Sequence, residues 1–138
     1  MKTSTITARE FNQKIDNNEA AVLTVEKAKS LKGKKIAWTY FGYSSNEQVV
    51  YEMTVGEIVS SWDFHKNEKV DGFESRTAEW QTWMRPDQIQ DEKDKLILLD
   101  EKGENNNHIF AFTGRENCFD EPTFTCSDSD RSVFFIEL

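Results

Sequence analysis

Apolar positions change their spacing along this chain, and the changes mark its elements. Thr7-Ala8-Arg9-Glu10 fits a capping box, in which a Thr hydroxyl and a Glu three positions on satisfy two orphan amides. Phe11 and Ile15 follow on one helical face. This predicts a helix over about 8–17, stopped by Asp16-Asn17-Asn18. Val25, Ala28 and Leu31 repeat the helical spacing behind Thr24, a capping residue, and Gly33 supplies a left-handed residue past the end. A second helix over about 25–32 is expected.

From Lys34 the period drops to two. Ile36, Trp38 and Tyr40 alternate with Ala37, Thr39 and Phe41, and Gly42 to Asn46 reads as a turn. A long strand starts near Val49 and runs to Trp62, with Gly56 marking a bulge or sharp bend. Residues 65–76 form a polar loop. In Ala78–Met84, Trp80, Thr82 and Met84 alternate as in a strand while Trp80, Trp83 and Met84 also fit a helical face; the strand, favoured here, leaves Trp83 on the opposite face. Pro86 opens a short helical turn through about Ile89. Leu96–Leu99 and His108–Phe112 are apolar on both faces and read as a central hairpin. Phe124 falls in a short strand, and Val133–Ile136 is a last strand paired inside the sheet.

The fold class is therefore α+β. Two short N-terminal helices precede a bent, mainly antiparallel sheet of six or seven strands, whose curvature admits a small open barrel. No linker or repeat divides the chain, so residues 1–138 read as a single domain.

Composition narrows the function. The 138 residues are 12% aromatic, too rich for a disordered chain, and carry 17 Lys and Arg against 25 Asp and Glu, a formal net charge of −8. Residues 1–69 hold ten basic and nine acidic side chains; residues 70–138 hold seven and sixteen. That balance disfavours direct nucleic-acid binding, which needs a basic stripe. The lysine run Lys27, Lys29, Lys32, Lys34 and Lys35 reads as a solvated helix end and strand start. Neither an apolar window of membrane-spanning length nor the apolar stretch of a secretory signal is present, so a cytoplasmic protein with reduced Cys118 and Cys126, and no membrane partner, is expected.

The six glycines are scattered, so neither phosphate-binding glycine loop can be written. Cys118, Cys126, His65 and His108 lack zinc spacing, and no Gly-x-Ser-x-Gly is present. Acidic neighbours Glu116 and Asp120 work against an activated thiolate at Cys118. Asp128 and Asp130, flanked by hydroxyls, are the metal candidates for a hard cation, with Glu116, Asp120 or Glu121 as further ligands; the alternative is a capped turn with Arg131 paired locally. Trp83, with Tyr43 or Arg85 beside it, is the candidate interaction patch.

The leading expectation is a non-enzymatic, acidic protein-binding domain, an adaptor or inhibitor offering an acidic face to a basic partner, with no cofactor. Trp83, Tyr43, Arg85, Asp128 and Asp130 are its candidate binding residues. Two alternatives stand beside it: a divalent-metal enzyme using Asp128 and Asp130, and a small-ligand barrel with Trp38, Trp62 and Trp80 lining a pocket.

Overall fold

A computed structural model describes residues 2–40, 48–65, 85–105, 109–113, 122–126 and 132–138. Their elements, in chain order, are β1 (Lys2–Thr3), α1 (Ala8–Asp16), β2 (Ala21–Val22), α2 (Val25–Ser30), β3 (Lys35–Thr39), β4 (Tyr51–Ser60), α3 (Ser61–His65), α4 (Pro86–Asp94), β5 (Lys95–Asp100), β6 (Ile109–Phe112), β7 (Thr125–Cys126) and β8 (Phe134–Glu137).

Both N-terminal helices form where their caps predict. Thr7 Oγ1 accepts from the Glu10 N–H at 3.1 Å, and Thr24 Oγ1 from the Lys27 N–H at 3.2 Å. Asn18 and Gly33 lie past the two helix ends with φ of 58° and 83°. Helix α1 turns Phe11 fully inward, while α2 buries Val25 and Ala28, with Leu31 at its end.

Among the described residues all strand pairings are antiparallel, in the order β2-β8-β3-β4-β5-β6-β7, and β1 adds to the start of β4. Strand β4 organises the sheet. Its first half pairs with β3 and β1, and its second half with β5. The register slips between Val55 and Ile58, around Gly56, where the bend was expected. A Cβ at Gly56 would stand 2.0 Å from the Asp100 carbonyl oxygen, so only glycine permits this approach of β5 to β4.

The sheet has a core on each face. Ile36, Trp38, Met53 and Val55 share one with Leu23, Leu31, Leu98, Ile109 and Phe124. Ala37, Val50 and Ile136 share the other with Phe11 of α1. This is why β3 is buried on both faces, and why the apolar run of β8 sits between β2 and β3.

Three expectations need correction. The sheet is not closed into a barrel. Its ends approach through isolated bridges and backbone bonds rather than a continuous ladder: Thr24 bridges Thr123, Phe124 N–H donates to the Leu23 carbonyl (2.9 Å), and Val25 N–H donates to the Pro122 carbonyl (3.0 Å). The described helices number four rather than two. Ser60 Oγ accepts from the Asp63 N–H at 3.1 Å, starting α3 and taking Trp62 out of the strand. The helix opened by Pro86 runs to Asp94, past Ile89, because α4 packs on α3: the buried Ser61 hydroxyl donates to the Glu92 carboxylate. The proposed strand over 78–84 and the loop over 66–76 lie outside the described residues.

Candidate functional site

Among the described residues, the ladder between β1 and β4 reaches Glu52, and that between β5 and β4 starts at Val55. Over Met53 and Thr54, between the two, a pocket of about 390 Å³ opens. Lys2, Lys35 and Glu52 stand on one side, and the β5–β6 turn from Asp100 to Glu104 on the other; Trp38 also lines it.

Register explains the first wall. Lys2 lies opposite Glu52, and Glu52 opposite Ala37, so charged ends gather where three strands meet. The Glu52 side chain is only 13% exposed, and lies 3.6 Å from Lys2 Nζ and 3.7 Å from Lys35 Nζ. Ser4 Oγ donates to its other oxygen at 3.2 Å. A half-shielded carboxylate needs such partners. Two ammonium groups share this one carboxylate, leaving a local positive excess.

The second wall is acidic. Asp100 Oδ1 accepts from the N–H groups of Lys102 (2.9 Å) and Glu104 (3.0 Å), which fixes the turn, while Glu101 and Glu104 are exposed. Trp38, a core residue that also lines the pocket, is 1% exposed and packs against Tyr51, with ring centroids 4.9 Å apart. Among the described residues its buried indole N–H has no acceptor. Such a donor stands out, since buried polar groups are almost always paired.

Elsewhere, most of the lysine run stands beside carboxylates while remaining exposed. Lys29 pairs with Glu26 and Lys34 with Glu137, both at 3.3 Å, while Lys35 pairs with Glu52 and Lys32 with Glu57. Two further cations face aromatic rings: Lys93 lies 5.6 Å from the Trp62 ring centroid, and Lys95 4.0 Å from that of Phe110. Acidic residues on α4 and on the β5–β6 turn occupy opposite ends of β5, a six-residue strand.

The candidates read from sequence fare unevenly. Arg85 is exposed just before α4, with Nε 3.4 Å from Asp87. Trp83, Tyr43, Asp128 and Asp130 lie outside the described residues, as do Trp80, Cys118, His108, Glu116, Asp120, Glu121 and Arg131. Among the described residues, no three His, Cys, Asp or Glu side chains cluster to hold a metal. Trp38 and Trp62 do not share a pocket. Trp38 pairs with Tyr51 at one end of β4, and Trp62 follows Ser60 at the other. Lys2 and Glu52 were missed. The one signal was a carboxylate set between Tyr51 and Met53 in an otherwise apolar strand start.

No family model matches the chain, and neither a curated protein nor a solved structure matches it. Among the described residues, no helix is long and apolar enough to cross a membrane.

Proposed function

We propose that this protein is a non-enzymatic binding domain that presents acidic projections to a basic surface of a partner protein. One observation carries the reading: Lys29, Lys32, Lys34 and Lys35 stand in intramolecular ion pairs, while exposed carboxylates lie on the β5–β6 turn, at Glu101 and Glu104, and on α4, at Asp91 and at Asp87 beside Arg85. Charge so arranged speeds encounter and selects partners of opposite sign. The test is an affinity pull-down from nuclease-treated source lysate at low and high salt. It compares the wild type with the Glu101→Gln/Glu104→Gln and Asp87→Asn/Asp91→Asn pairs. A stoichiometric protein that is released by salt, and lost with either pair, supports the reading. A partner insensitive to salt and to both pairs, or none at all, overturns it.

A second reading is favoured by the pocket. Its volume of about 390 Å³ falls within the range of small-molecule sites, roughly 300–1,000 Å³. In this reading the domain takes a small ligand between β1 and the β5–β6 turn. Among the described tryptophans Trp38 lines this pocket and Trp62 does not.

A further inference from the structure

We draw no further inference here: the strongest candidate, the half-buried aromatic face of the β5–β6 hairpin, where Lys95 stands opposite Phe112 in register and lies 4.0 Å from the Phe110 ring centroid, carries nothing because nothing among the described residues shows what covers it.

Discussion

Gly56 concentrates the geometry of the whole sheet into one missing methyl group. With the Asp100 carbonyl 2.0 Å from where a Cβ would stand, Gly56→Ala must push β5 off β4 or rebuild the bulge. We expect a loss of about 2–4 kcal/mol, as for other overpacked or strained core sites, measured by urea unfolding. An unchanged midpoint would contradict the close approach. Thr24 is a milder case. Its hydroxyl caps α2, and the residue is 4% exposed. Thr24→Ala should lose about 1–2 kcal/mol by the same assay, the cost of a capping bond. Both residues were legible in the sequence because their reasons are local: a glycine inside a strand pattern, and a Thr before a helical apolar repeat. What the sequence withheld is the partner. The carbonyl that makes Gly56 obligatory lies 44 positions later in the chain.

At the scale of elements, periodicity located most of the frame. The caps placed α1 and α2, alternation placed β3 and β4, and doubly apolar runs placed β5, β6 and β8 inside the sheet. The failures share one cause, which is tertiary packing. Ser61 and Trp62 continue a strand pattern, yet the chain turns into α3 because Ser60 caps it and Ser61 reaches Glu92. Helix α4 outruns its apolar signal because only Ile89 breaks its polar sequence, and α3 rather than periodicity supports it. Strand β8 allows a sharp test. It pairs with both β2 and β3, and Ile136 belongs to the core with Phe11. Removing residues 134–138 should abolish cooperative thermal unfolding, whereas removing Leu138 alone, which is 52% exposed, should lower the midpoint by only a few degrees. A cooperative transition in the longer truncation would mean that β8 is dispensable.

For the whole molecule, charge is the property that bears on function. The net charge of −8 was plain from composition, but its arrangement was not. The lysine run is exposed, as expected, and most of it also stands beside carboxylates, which composition does not show. Of the second half's acids, those described on α4 precede β5 and those on the β5–β6 turn follow it, an order in the chain that composition does not show. The pocket was illegible for the same reason: β1, β3, β4 and the turn each contribute to it, and only strand order brings residues 2, 35, 52 and 100 together.

The central claim is that the acidic projections bind a basic partner. It is tested most directly by the dissociation constant of the captured partner, measured by titration calorimetry across ionic strength. Between about 0.1 and 1 M salt the screening length falls from about 10 to about 3 Å, so exposed charges lose their reach. The account predicts that the wild type weakens at least tenfold over this range. It also predicts that Glu101→Gln/Glu104→Gln binds more weakly at the low end and shows a shallower salt dependence. An affinity that is flat in salt, and equal in wild type and variant, would contradict it.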